Sequence, residues 1–383
     1  MSAVVALLIL ECSKTLVVYP AAPPAAQPRT PTPPPAAYAV TLNGLTAPTY
    51  ISVAPVDGPI RQRGKTASWV SWDADAVVEV RITPLTEWKR CVVRPLSLGV
   101  KCARVNASSA ALLLSPGAQV SIEFDDVWET HALLLFANYP EEPFRSGAVI
   151  EFGAGLHDIG VGYEIPANVT VHLAAGAWVR GTFASKGGAA SGVEIHGRGV
   201  LDGGLIARPP TCDDSLALIN LCGDDISISG ITLVNAPTYL LEVNAFWQGG
   251  ACATSSRTTV SNVKLLAWHY TSDGIMVGRD SVVSSNFVKC NDDALKLFMG
   301  RTSWTRNTIW QEDNGQSFML SWVTPTNETN ISVSDSTVIH VEHDHDYGDQ
   351  ARPAVFGSVH GGAGELFTIT FHANHAHNLT RSP

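Results

Sequence analysis

Short β-branched runs return along the second part of this chain at intervals of 21 to 34 residues, and none settles into a helical period. They begin at Val169, Gly192, Ile226, Val260, Val282 and Ser303. A run of a few strand residues cannot bury its apolar side alone. Copies stacked about 4.8 Å apart can, because each closes one rung of a continuous core. The pattern predicts an all-β chain whose main body, residues 141–383, is a right-handed parallel β-helix. Asn262, Asn286 and Asn307 fall 24 and 21 residues apart and are expected to stack at one corner. Asparagine suits such a place because it tolerates left-handed backbone and bonds its own main chain.

Residues 38–140 read differently. Tyr50–Val53, Ser68–Trp72, Val77–Ile82 and Gln119–Phe124 alternate or are β-branched, with turn residues between them at intervals suited to antiparallel pairing. A β-sandwich is the expected result. Its tryptophans, Trp69, Trp72, Trp88 and Trp128, are expected in packing rather than against a sugar. Residues 1–37 stand apart. Ala3–Leu10 is signal-like and too short to span a bilayer, and Pro20–Pro35 reads as an extended linker. Secretion is the expectation, and no other stretch looks transmembrane. No cap or amphipathic helix follows Phe367–Phe371 before the chain stops at Pro383. Open strand edges there predict a truncated product or a covering partner.

A net charge of −10 argues against nucleic acid, which wants clustered Lys and Arg, and weighs against a polyanionic glycan. With Cys12 near the processed segment, the short loops Cys91–Cys102 and Cys212–Cys222 are the natural disulfide pairings among fifteen possible. Sequons at Asn106, Asn168, Asn327, Asn330 and Asn378 fit a secretory route. His343–Asp346 would put two histidines on one strand face and two aspartates on the other. That suits a loop lining a cleft better than a metal site. Neither a metal nor a cofactor is expected.

The chemistry gathers elsewhere. Asp273 stands within Thr271–Ile275, and Asp292 and Asp293 within Asn291–Leu297, a gap of 19 residues from Asp273 to Asp292. That is about one solenoid coil, so three carboxylates should meet on one patch of surface. Like charges so close push at least one pKa upward, leaving one group protonated and the others ionised. An acid beside a base is the equipment for cleaving a glycosidic bond. The other acidic doublets, Asp125-Asp126, Asp213-Asp214 and Asp224-Asp225, read as solvated turns. Lys296 lies four residues past Asp292 on the same strand face, placed to bond a sugar hydroxyl or keep a carboxylate ionised. Asn291, Trp268, Tyr270, Trp310 and Trp322 flank the carboxylates and are candidates for substrate contact.

These motifs also carry a resemblance. Glu151–Gly160 followed by Asn168–Ala177 is similar to the opening coil of glycosidases with a pectin-lyase-like β-helix. Thr271–Ile275, the gap, and Asn291–Leu297 resemble glycoside hydrolase family 49, which contains dextranases and isopullulanases. Ile309–Phe318 with Trp322 looks like the coil after that family's active site. The resemblance implies an N-terminal sandwich joined to a β-helix. It also implies a secreted, monomeric, cofactor-free inverting hydrolase of an α-glucan such as dextran or pullulan. Asp292 would then be the general acid, with Asp273 and Asp293 holding and deprotonating the water. The short C-terminal end departs from the family. Polygalacturonases share the three aspartates but would carry a Gly-His-Gly turn and an Arg-x-Lys element, and His360-Gly361-Gly362 comes too late for the turn. A pectate lyase would need calcium and a basic residue. A non-catalytic glycan-binding β-helix is the alternative outside enzymology.

Overall fold

The computed structural model describes residues 15–23, 37–56, 58–59, 61–125, 127–143, 147–209, 216–243, 252, 254–320, 328–342, 354–358 and 369–376. Two sheets make up the N-terminal part. One holds Leu16–Val18, Tyr50–Val53, Thr66–Ala74, Cys91–Arg94, Gln119–Phe124 and His131–Asn138. The other holds Tyr38–Leu42, Leu45–Ala47, Val78–Pro84, Ala103–Arg104 and Ala110–Leu114. All pairings are antiparallel save His131–Asn138 beside Thr66–Ala74. Leu16–Val18 pairs with Thr66–Ala74, so a stretch assigned above to the leading segment belongs to this sheet. Ala3–Leu10 and residues 24–36 lie outside the described residues.

The first sheet is buried on both sides, and strand alternation explains how. Val70, Trp72, Ala74, Val120, Ile122, Leu133 and Leu135 point into the sandwich core. Ala67, Trp69, Ala132, Leu134 and Phe136 point the other way, against the β-helix.

The helix is a stack of coils with three strand columns. One column runs from Ala148–Phe152 through Val169–Leu173, Val260 and Val283 to Ile369–His372, each strand parallel to the next. The strand Ala177–Ser185 belongs to both other columns, pairing with Val200–Asp202 through its first half and Ile219–Leu221 through its second. Inward side chains form one ladder, with Leu201, Leu233, Leu265, Val288 and Ile309 in register. Outward from the same strands, Trp178, Val200, Val234, Leu266, Phe287 and Trp310 meet the sandwich. Polar bonds pin this interface: Arg198 to Asp73 at 2.7 Å, Lys65 to Glu342 at 2.8 Å, and His340 with Glu123 at 2.5 Å.

Register corrects the expected asparagine ladder. Ser261 pairs with Ser284, so Asn262 aligns with Ser285 rather than Asn286. Asn262, Ser285, Arg306, Asp335 and Ala373 all take positive φ at one corner, between 51° and 57°. One position further on, Asn286 Nδ2 donates to Asn307 Oδ1 at 3.0 Å, and Asn286 Oδ1 accepts the Val263 N–H at 2.9 Å. The disulfides differ as well. Cys91 pairs with Cys102, but Cys222 pairs with Cys252, the cysteine a coil away. Cys212 lies outside the described residues, and Cys290 is a buried thiol. No helix among the described residues is long and apolar enough to cross a membrane.

Candidate active site

Asp273, Asp292 and Asp293 sit where the coil turns from the sandwich-facing column toward the third column. Ile275 pairs with Leu295, so Asp273 is in register with Asp293, and Asp292 with Ser272. The backbone holds this stacking: Gly274 N–H donates to Asp293 O at 2.9 Å, and Leu240 N–H to Asp273 O at 2.9 Å. The three side chains converge, each offering an oxygen within 4.8 Å of the others. Asp273 is 6% and Asp293 2% exposed, while Asp292 keeps more solvent contact.

Burial is the first cause of their electrostatics. It pushes the Asp273 carboxyl up to about 7, with Lys296 pulling down and Asp293 pushing up. Asp292, crowded by protein although it touches solvent, is raised well above the ordinary carboxylate range by desolvation and then by the charges of Asp273 and Asp293. Lys296 Nζ lies 3.1 Å from Asp273 Oδ1 and 4.3 Å over the Tyr239 ring. Burial works against its charge, but Asp273 and the buried Glu242 more than compensate and hold it above its usual value.

A second row aims the acids. Asn314 Nδ2 donates to Asp292 Oδ2 at 3.0 Å and to the Tyr270 carbonyl at 2.8 Å. Asp292 Oδ1 accepts the Asp293 N–H at 2.9 Å, and Gln316 N–H donates to Asp293 Oδ1 at 3.1 Å. Gln311 Nε2 donates to the Asp292 carbonyl at 2.9 Å. Gly315 has φ +72°, and a Cβ there would stand 2.3 Å from the Asp292 carbonyl carbon. Only glycine fits beneath the pair. The sandwich reaches this row too, because Gln62 Nε2 donates to Asp313 Oδ1 at 2.9 Å.

The chain is 28% identical to a dextranase of Arthrobacter globiformis over 217 residues, 51% of this chain and 33% of that protein. A dextranase of Arthrobacter sp. strain CB-8 gives the same identity and coverage. Dex49A from Penicillium minioluteum superposes with a TM-score of 0.73 at 17% identity, covering 95% of this chain and 83% of that one. The chain is thus similar in sequence to dextranases over about half of its length. No protein-family model matches it. It spans a third of the length of the curated dextranases it matches, and its likeness to Dex49A is one of fold.

The three aspartates and Lys296 come together, Tyr270 reaches the site through its carbonyl, and several flanking residues stand apart. Trp268 is 2% exposed and donates its indole N–H to Ser52 Oγ of the sandwich at 2.7 Å. Trp310 is fully buried and donates to Glu342 Oε1 at 2.8 Å. Both belong to the domain interface, because outward side chains of that column meet the sandwich and not solvent. Asn291 is also buried, its Nδ2 donating to the Trp268 carbonyl at 2.8 Å and its Oδ1 accepting the Asn314 N–H at 3.0 Å. Both of these contacts are to main-chain atoms of neighbouring segments. Trp322 and His343–Asp346 lie outside the described residues. Gln311, Asn314 and Gly315 fall within the run Ile309–Phe318 noted above but carry no individual role there, and Glu242 lies outside every motif of the sequence. Of these, Asn314-Gly315 carried a signal, since Asn-Gly marks a tight turn. Trp69, Trp72, Trp88 and Trp128 all pack within or beside the sandwich.

Proposed function

We propose that the carboxylate cluster hydrolyses the glycosidic bonds of a neutral α-glucan, with dextran as the first substrate to test. The observation that carries this reading is the convergence of Asp273, Asp292 and Asp293 at one corner, with oxygens within 4.8 Å. Asp292 holds its proton toward neutral pH and gives it to the leaving oxygen as the anomeric C–O bond breaks. Water, held by Asp273 and Asp293, attacks the anomeric carbon and loses its proton to one of them. Lys296 keeps Asp273 ionisable in a buried setting. The similarity to dextranases supports the substrate class. The net charge of −10 supports a neutral glycan over a pectin.

The anomeric outcome divides two readings. Inverting pairs usually keep about 6.5–9.5 Å between carboxyls, with the water between them, and retaining pairs about 5–5.5 Å. The closeness of the three oxygens favours retention if one aspartate is a nucleophile. We favour inversion, because three carboxylates converge and two oxygens within 4.8 Å can share one water. Proton NMR of the first-formed reducing ends on dextran decides it: inversion yields β-anomers from α-linkages. Dextran bound without reducing-sugar release would end the hydrolase reading, and release from polygalacturonate alone would move the substrate to pectin. Secretion is part of the proposal and is tested by finding the protein in culture medium.

A further inference from the structure

A second cluster of ligating side chains lies far along the chain from the aspartates, where the segment joining sandwich to helix crosses the first coils. Glu151 pairs in register with His172, and His172 with His196, so the three occupy one outward column. Glu141 arrives from the joining segment. Its Oε1 lies 3.1 Å from His172 Nε2 and 3.2 Å from His196 Nδ1. The three ligand atoms are mutually within 4.8 Å. On the far side of the His172 ring, Nδ1 lies 2.8 Å from Glu151 Oε2 and 2.9 Å from Oε1.

We propose that Glu141, His172 and His196 form a binding site for a divalent transition-metal ion of the zinc type, with Glu151 orienting the His172 ring. Edges of 3.1 and 3.2 Å between ligand atoms approach the roughly 3.3 Å of a tetrahedron built on bonds of about 2.0 Å. Two imidazoles and one carboxylate suit zinc and disfavour calcium or magnesium, which take oxygen. A carboxylate on the second nitrogen is the support that a metal-bound histidine commonly has, because it fixes the tautomer. Both imidazoles aim a ring nitrogen at the same Glu141 oxygen, which is where one cation would sit between the rings and the carboxylate. The nearby Arg198 guanidinium is engaged by Asp73 at 2.7 Å and by the Tyr139 carbonyl at 2.9 Å. The side chains of His172, His196 and Glu141 are 14%, 6% and 29% exposed, so an ion can enter. Bound there, it would fasten the joining segment to the first coils.

The test uses the full chain without a histidine tag, stripped with EDTA and titrated with zinc chloride by calorimetry. The expected result is one zinc site per chain with Kd below about 10 µM and a melting temperature raised by roughly 3 °C at saturation. Glu141→Gln, which keeps the side chain's size, should weaken binding about 100-fold, and Glu151→Gln about 10- to 100-fold. His172→Ala/His196→Ala should abolish the site, with circular dichroism checking the fold. Uptake by that double variant equal to the parent's would overturn the proposal, as would no uptake by the parent below about 100 µM zinc.

Discussion

The Lys296 ammonium lies 3.1 Å from the Asp273 carboxylate, and both side chains are nearly closed to solvent. In so dry a setting, each charge depends on the other. Replacing Lys296 with Met removes the group that lowers Asp273, whose carboxyl stands at about 7 with the lysine present. If Asp273 is the base proposed above, it must ionise to work, so the acid limb of the pH–kcat/KM profile should move to higher pH. A limb that stays in place means that Asp273 is not the titrating base. The observed midpoints belong to the coupled cluster as a whole.

Asp292→Asn should lower kcat on dextran by roughly 10²- to 10⁴-fold while leaving the melting temperature close to the parent's. Reducing-sugar assays beside thermal denaturation separate the two effects. Activity near the parent's would remove Asp292 from the role of acid.

Gly315→Ala is expected to cost activity far beyond its one added carbon. The position has φ +72°, and the new Cβ would press on the Asp292–Asp293 peptide from 2.3 to 2.6 Å away. Shifting catalytic carboxyls by about 1 Å can cost about 10²-fold. Steady-state kinetics at saturating substrate, with circular dichroism as control, measures it.

Burial alone would raise Glu342, but Lys65 and Lys289 reverse that and hold it at about 2. A depressed carboxyl stabilises fully above its unfolded value of about 4.5 and loses that contribution as pH falls toward 2. Lys65→Met should cost about 3 kcal/mol at neutral pH, since it strips a buried partner. It should also flatten the fall in melting temperature between about pH 5 and 3. Thermal melts across that range check both.

The solenoid was legible because its period survives in the sequence, and the carboxylates because a coil's length separates them. Fine register was not. Asn262 and Asn286 look equivalent by type, yet one side takes the left-handed corner and the other the ladder position beside it, since the intervening coil is a residue shorter than their spacing. A one-residue slip in the opposite sense, the coil being a residue longer than the gap, pairs Asp273 with Asp293 instead of Asp292. The burial of Trp268 and Trp310 is not legible in the sequence, because an outward side chain on a solenoid meets solvent or a neighbouring domain, and a single strand does not say which. Cys222 found Cys252 through stacking, a proximity invisible along the chain.

The strand Thr66–Ala74 is buried along its whole length, with Trp72 on one side and Trp69 on the other. It is a party wall. Pulling the sandwich away would strip the shelter from Trp178, Phe287 and Trp310 together, and dissolving the helix would leave Trp69 and Phe136 facing water. Heat therefore finds no seam at which one half can let go first, and the two halves should melt in a single endotherm.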